Sequence, residues 1–432
     1  MTAVVCISVL TVLSTMGLAL FEHRLHPKHL SVRIYWTAPL LGAAILLIGG
    51  WLPVREAVSG LLADSAVNPI QILVLFFSMT LMSIFLDEAG FFRYLASAVL
   101  RFAGSDQRKL FVLLYAAVSF LTVFTSNDIV VLTFTPFICF FAKSAEIDPV
   151  PYLFAEFVAA NTWSMLFIIG NPTNIYLAAG NGIDFASYFR VMALPTLFGA
   201  VTSFALLWVL FRKKLKAPMR VVAQEARLSD KPTVGVAVAA LGICILFLVF
   251  SSYLNLEMWL IAADACVLLF LVAIPELLIR RRGIGLVTQS FHRAPYDVVP
   301  FVLSMFILVM ALGRVGATAA MGQFVLGGAS LWRSGISSFF AANLLNNIPM
   351  SVLYSTVVTV QGSASLPALY AAVIGSNVGA FFTPLGALAG IVWVSLLKQH
   401  KVSFSFARFV IFGAIISIPT LLASLLGLAI VM

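Results

Sequence analysis

The chain has 432 residues, 62% of them hydrophobic and only 10% charged, with 26 Lys and Arg against 17 Asp and Glu. A soluble globular protein carries about 25% charge. With a mean hydropathy of +1.07, this composition excludes a soluble enzyme, a disordered tail and a disulfide scaffold. The apolar residues form blocks, several longer than the roughly 20 residues that cross about 30 Å of hydrocarbon, which predicts an all-α polytopic membrane protein.

In chain order, ten spans are predicted, near residues 2–20, 34–52, 69–86, 152–180, 191–211, 232–251, 256–279, 295–312, 366–397 and 405–430. The first block has no basic residue ahead of it and a basic run behind, the pattern of a retained helix with its N-terminus outside rather than a cleaved signal. Two further stretches, 110–142 and 334–360, are broken by Thr125-Ser126-Asn127-Asp128 and by Asn346-Asn347 before Pro349. Each half, about 12 to 15 residues long, is too short to span alone. Such halves suit re-entrant hairpins, whose open backbone groups must be met by protein or water. This layout sets both termini outside and leaves only Arg55, Arg190, Arg314 and Arg333 off the cytoplasmic side. Ordinary spans in place of the hairpins would put the bases of Arg212–Lys231 and Arg280–Arg282 opposite those of Arg24–Arg33, against the positive-inside bias. The basic residues are thereby assigned to membrane topology, and nucleic acid is not expected as a partner. Short amphipathic helices, Phe91–Phe102 and Ala317–Trp332, lead into the hairpins as interfacial arms.

The two halves match in order. Pro69, Ser78, Met79 and Gly90 recur as Pro295, Ser304, Met305 and Gly316; Asn127 recurs as Asn347; the run Pro151–Asn161 recurs as Pro367–Asn377; Pro172 recurs as Pro384. The offsets only shrink along the chain, as small deletions in the second copy would produce. The expected organisation is an N-terminal helix and loop (1–33), a first repeat (34–211) with hairpin 110–142 and interrupted span 152–180, a cytoplasmic linker (212–231), and a second repeat (232–432) with hairpin 334–360 and interrupted span 366–397. By the charge layout the repeats are inverted, the architecture of secondary transporters with a site near the midplane.

Four polar breaks carry the chemistry: Thr125–Asp128, Gly170-Asn171-Pro172-Thr173-Asn174, Asn346-Asn347, and Thr383-Pro384-Leu385-Gly386 preceded by Ser376-Asn377. Proline and glycine open the helix and free backbone groups. Half-helix ends then present partial charges, while Asn, Ser and Thr add neutral donors and acceptors. Asp128 is the one acid at a break, and a carboxylate at membrane depth marks an ion or proton path. Glu156 and Asp264 have weaker claims to coupling, and Glu276 and Asp297 read as interface pairs. The breaks hold no Lys or Arg, which favours a neutral polyhydroxyl solute over a carboxylate. All four cysteines lie in apolar segments without CxxC spacing and read as small buried hydrophobes. There is no metal cluster, nucleophile–base pair or phosphate loop, so no cofactor and no enzyme activity are expected.

With these residues in hand, the chain resembles the ion transporter superfamily, and most of all the arsenite efflux permeases (ArsB-like). The resemblance rests on Phe124–Pro136, on Ala160–Ser164 through Asn171–Asn174, on Leu345–Pro349, and on the Thr-Pro-x-Gly-x-Leu-Ala run within Gly375–Ala389. It implies a scaffold unit and a transport unit, with both hairpin tips and both interrupted spans meeting at the site. It further implies proton-coupled export of arsenite or antimonite across a bacterial-type inner membrane, in some members with a soluble ATPase; a homodimer is left open. Carried over, Ser126, Asn127, Asn346 and Asn347 bind substrate at the tips, Asn171, Thr173 and Asn174 line one interrupted span, Asn377 and Thr383 line the other, and Asp128 carries the proton. Relatives on the same fold move carboxylates with sodium or exchange sodium for protons, so sodium coupling and a carboxylate or other anion substrate stand as alternatives. One departure is Val378, where the ArsB-like pattern has an acid after the asparagine; it leaves Asp128 more of the coupling.

Overall fold

The computed structural model describes residues 1–25, 34–63, 68–220, 228, 230–360 and 363–432. Lys28, Arg33 and residues 221–227 and 229 of the linker lie outside the described residues. The chain opens with α1 (Thr2–Leu25), α2 (Thr37–Ile48) and α3 (Val54–Leu62). The second predicted span is thus a helix of only 12 residues, because Gly49 and Gly50 end it.

From there the order of helices is the same in each half. The first half runs α4 (Pro69–Glu88), α5 (Phe91–Ala103), α6 (Gln107–Phe124), α7 (Asn127–Ser144), α8 (Val150–Trp163), α9 (Pro172–Leu177) and α10 (Phe185–Phe211). A connecting layer follows: α11 (Lys231–Val249), α12 (Ser251–Leu254), α13 (Met258–Ile279) and α14 (Gly285–Arg293). The second half runs α15 (Val298–Arg314), α16 (Ala317–Leu326), α17 (Ser330–Leu345), α18 (Asn347–Val357), α19 (Leu366–Gly379), α20 (Leu388–Gln399) and α21 (Phe406–Val431). A two-residue ladder, β1 (Thr359–Val360) on β2 (Ser363–Ala364), sits between α18 and α19. Eight helices, or pairs continuous in apolar sequence, are long and apolar enough to cross a membrane, with shorter apolar helices between them.

Local sequence explains the corners. Gly90 (φ 90°) and Gly316 (φ 78°) turn the chain into α5 and α16 through the left-handed region, where a Cβ is disfavoured. Asn68, Asp106, Asp184 and Ser405 cap α4, α6, α10 and α21 through side-chain oxygens that accept backbone N–H groups. At the start of α11, burial would raise the Asp230 carboxyl, but hydrogen bonds from Arg280 and Thr233 and the guanidinium charge hold it below its ordinary value. Glu276 joins the same cluster by accepting from Arg280.

Three expectations need correction. The halves of the first hairpin are 18 residues each, about 27 Å at 1.5 Å per residue, not 12 to 15. The break takes only Thr125 and Ser126, and Asn127 and Asp128 already belong to α7. The second interfacial arm ends at Leu326, not Trp332, because Gly327 and Gly328 (φ 65°) stop it and Ser330 starts α17. Cys6 is exposed on α1, whereas Cys139, Cys244 and Cys266 are buried.

Packing pairs the halves. α7 lies on α20 and α18 on α9, so the second arm of each hairpin meets the helix that follows the break in the other half's interrupted span. α10 and α21 cross where Gly427 approaches Pro195. α17 packs closely on α19. A Cβ on Gly375 would stand 2.5 Å from the Gly335 carbonyl oxygen and 2.8 Å from the Phe339 nitrogen. Small residues allow such backbone approach within a membrane. Gly375→Val is therefore expected to cost about 3 kcal/mol by overpacking; thermal unfolding in detergent should drop markedly, and a wild-type midpoint would show that the helices are not in contact there.

Candidate functional site

Where the halves cross, one side chain ties the two interrupted spans together. Asn377 lies in the last turn of α19, wholly buried. Its Oδ1 accepts from Ser164 Oγ at 2.9 Å and from Asn171 Nδ2 at 2.8 Å. Its Nδ2 donates to Asn174 Oδ1 at 2.7 Å and to the Val373 carbonyl at 2.9 Å. Two donor and two acceptor positions are all that an amide offers, so Asn377 is saturated.

The first interrupted span is held open by its own asparagines. After α8 the chain makes a short 3-10 turn (Ile168–Gly170), and Pro172 then starts α9. Asn171 caps α9 by accepting from the Thr173 nitrogen at 3.1 Å. Asn174 Nδ2 donates back to the Ser164 and Phe167 carbonyls at 2.7 and 3.1 Å. Carbonyls freed by the break are thereby satisfied within protein, as their depth demands.

The second interrupted span uses a residue that sequence reading missed. Asn343 of α17 accepts at Oδ1 from the Thr383 nitrogen (3.1 Å) and hydroxyl (2.6 Å), and donates to the Phe339 and Gly379 carbonyls. Thr383 therefore pairs with α17 rather than with Asn377. The only sequence signal was position: Asn343 lies three residues before the break at Asn346.

The hairpin tips dock on these breaks. Asn127 Nδ2 donates to Asn161 Oδ1 at 3.2 Å, and Asn161 Nδ2 donates to the Phe157 carbonyl at 2.8 Å, as Asn377 does to Val373. Asn346 has φ 73°; its Nδ2 donates to the Leu385 carbonyl at 3.2 Å, while the Asn347 backbone nitrogen donates to the Gly386 carbonyl at 3.1 Å. Asn161 was legible only as the repeat partner of Asn377.

What the site can bind follows from the atoms left over. Ser126 Oγ, Asn127 Oδ1, Thr173 Oγ1 and Asn347 Oδ1 are buried and find no partner among the described residues; nor do Thr162 Oγ1, next to Asn161, and Ser376 Oγ, next to Asn377. Unpaired buried polar atoms are costly, and those at the breaks are amide oxygens and hydroxyls. Asp128 is half-buried in the first turn of α7 and lines a cavity of about 50 Å³ with Ser126, Thr80, Ile348, Ala389 and Arg293. An open cleft of about 530 Å³, bounded by Asp87, Glu88, Arg93, Thr133 and His400, shares Leu132 and Arg293 with that cavity.

Arg293 corrects the expectation of a site without bases. It is distant from every break in sequence, yet α14 brings it to the cavity wall. Its guanidinium donates to Asp87 Oδ2 at 2.7 Å and to Glu88 Oε1, which offset its charge. Asp264 lies on the exposed face of α13, away from the breaks, and Asp297 accepts from the Tyr35 hydroxyl at 2.5 Å. Among the described residues, no group of three or more His, Cys, Asp or Glu could hold a metal ion.

The sequence profile of the CitMHS family, described as citrate transporter, matches residues 16–366. The chain is 29% identical over 380 residues to the arsenical pump membrane protein of Escherichia coli (strain K12), covering 82% of this chain and 85% of that one. It is 26% identical over 424 residues to the arsenical pump membrane protein of Yersinia enterocolitica, covering 93% and 94%. Among solved structures, the YdaH transporter of Alcanivorax borkumensis is similar in fold, with a TM-score of 0.53 at 12% identity over 98% of each chain.

Proposed function

This chain belongs to the citrate transporter (CitMHS) family of membrane transporters, and we propose that within it the protein is a proton-coupled exporter of arsenite or antimonite. One observation carries the substrate class: the unpartnered buried atoms at the breaks are amide oxygens and hydroxyls, not cations. Arsenite at neutral pH is an uncharged trihydroxide. Its O–H groups need acceptors, for which Asn127 Oδ1 and Asn347 Oδ1 are available, and its oxygens need donors, for which the Ser126 and Thr173 hydroxyls are available. The similarity to arsenical pump membrane proteins supports the same reading.

In this reading the halves form an inverted repeat, the hairpins 110–142 and 334–360 are re-entrant, and both termini face outward. Asp128 binds a proton from outside and releases it inward, its ionisation alternating with substrate at the neighbouring tips. The Asn377 hub keeps the two interrupted spans moving as one body. A soluble ATPase or a second copy of the chain would add to this unit from outside the bilayer or alongside it.

A second reading, sodium- or proton-coupled carboxylate transport, is favoured by Arg293 in the cavity wall and by the family's description. A sensitive host separates the two. Cells expressing the protein are expected to accumulate less arsenite and to survive it. Sodium-stimulated citrate uptake without an arsenite phenotype would overturn the first reading.

A further inference from the structure

Glu156 of α8 is wholly buried. It lies between the end of α8 that begins at Val150 and Asn161, which holds the first hairpin tip. Both of its carboxyl oxygens face one hydroxyl, Thr135 Oγ1 of α7, at 2.9 and 3.1 Å. The buried Trp393 of α20 turns its indole toward the same carboxyl, and no Lys or Arg pairs with it among the described residues. An ionised carboxyl with a single neutral partner is costly at membrane depth; the acid form is not.

Of the titratable groups on the surrounding helices, Cys139 of α7, one turn beyond Thr135, is beside it. Tyr115 of α6 bonds toward Ser203, and Tyr188 of α10 donates to the Met165 carbonyl and packs at a tilt against Tyr370 of α19. Arg408 of α21 lies over Phe404 and Phe412. Arg108, Lys109, Lys143, Arg190 and Lys398 are exposed. Cys139 also lines an open cleft of about 440 Å³ with Lys143, His400, Lys401 and Arg408. Solvent therefore reaches within one side chain of the acid, past a basic rim.

We propose that Glu156 is a second proton-carrying carboxyl of the transport cycle. It keeps its proton while Thr135 and α7 are packed on α8. When they part, its O–H bond breaks and the proton passes to water in the Cys139 cleft; the carboxylate then takes up, through water, the proton that Asp128 has bound from outside and releases inward, before the helices repack. Thr135 is the positioning residue. The proposal rests on proton-coupled transport as read above.

The test uses the full chain in liposomes under an imposed pH gradient, with arsenite as probe. Glu156→Gln is expected to slow gradient-driven flux about tenfold and to remove a protonated-carboxyl band from the infrared spectrum. Thr135→Val is expected to keep the band and to shift the half-maximal pH of flux by about one unit, a tenfold change in proton affinity. A Glu156→Gln protein with the wild-type pH profile would overturn the proposal; if that variant does not fold, an unshifted profile in Thr135→Val does so. Wild-type flux indifferent to pH would instead overturn proton coupling, while the infrared band would still report whether Glu156 holds a proton.

Discussion

Asp128→Asn is expected to abolish the response of arsenite flux to a pH gradient, with a loss of at least about tenfold, or 1.4 kcal/mol, in gradient-driven rate. Asp128 is the acid in the first turn of α7 and borders the cavity next to Ser126. Asn preserves size and polarity but cannot release a proton at any working pH. The change leaves the Asn127–Asn161 bond and the Thr125 hydroxyl bond to the Leu121 carbonyl in place, so the tip should hold its shape. Flux in inside-out vesicles, followed against imposed gradients of either sign, reads the effect. An Asp128→Asn protein that keeps its pH response would remove this residue from coupling.

Asn377→Leu is expected to be the most damaging substitution for the fold of the crossing. It deletes four hydrogen bonds and strands Asn171 Nδ2 and Asn174 Oδ1 in a wholly buried place, while Ser164 Oγ keeps its bond to the Asn161 carbonyl. Each stranded group costs about 1–3 kcal/mol, so a loss of about 4 kcal/mol is expected, allowing for partial relaxation. Thermal unfolding in detergent measures it. Thr383→Val provides the contrast: it removes the hydroxyl bonds to Asn343 Oδ1 and from the Leu385 nitrogen, at a half-buried position, while the Thr383 nitrogen still donates to Asn343. The expected cost there is about 1 kcal/mol. Equal losses in the two variants would show that the hub is not shared between the halves.

Hydropathy and the four polar breaks located most of the helices and the region where the halves cross, because a helix in lipid must be apolar along its length and any interruption must be polar. Helix ends were less legible. Asn127 and Asp128 interrupt an apolar run, yet an N-terminal turn accepts them, so α7 begins there and is longer than the break suggested. Asn343 and Arg293 escaped notice for a different reason. Each acts on a segment far along the chain, Thr383 for one and Asp87 for the other, and no local pattern records such a pairing. Asn171, Asn174 and Asn377 form one hydrogen-bonded cluster, in which the Asn377 amide has all four of its positions filled. In the proposed reading, the atoms left for substrate belong to Ser126, Asn127, Thr173 and Asn347, each buried without a hydrogen-bond partner among the described residues.

The most direct measurement is arsenite movement by the purified protein in liposomes, with proton flux recorded in the same vesicles. Proton-coupled export predicts that arsenite moves against an opposed proton flux, that a protonophore stops it, and that sodium has no effect. Sodium-driven citrate movement, with arsenite neither carried nor competing, would contradict the account.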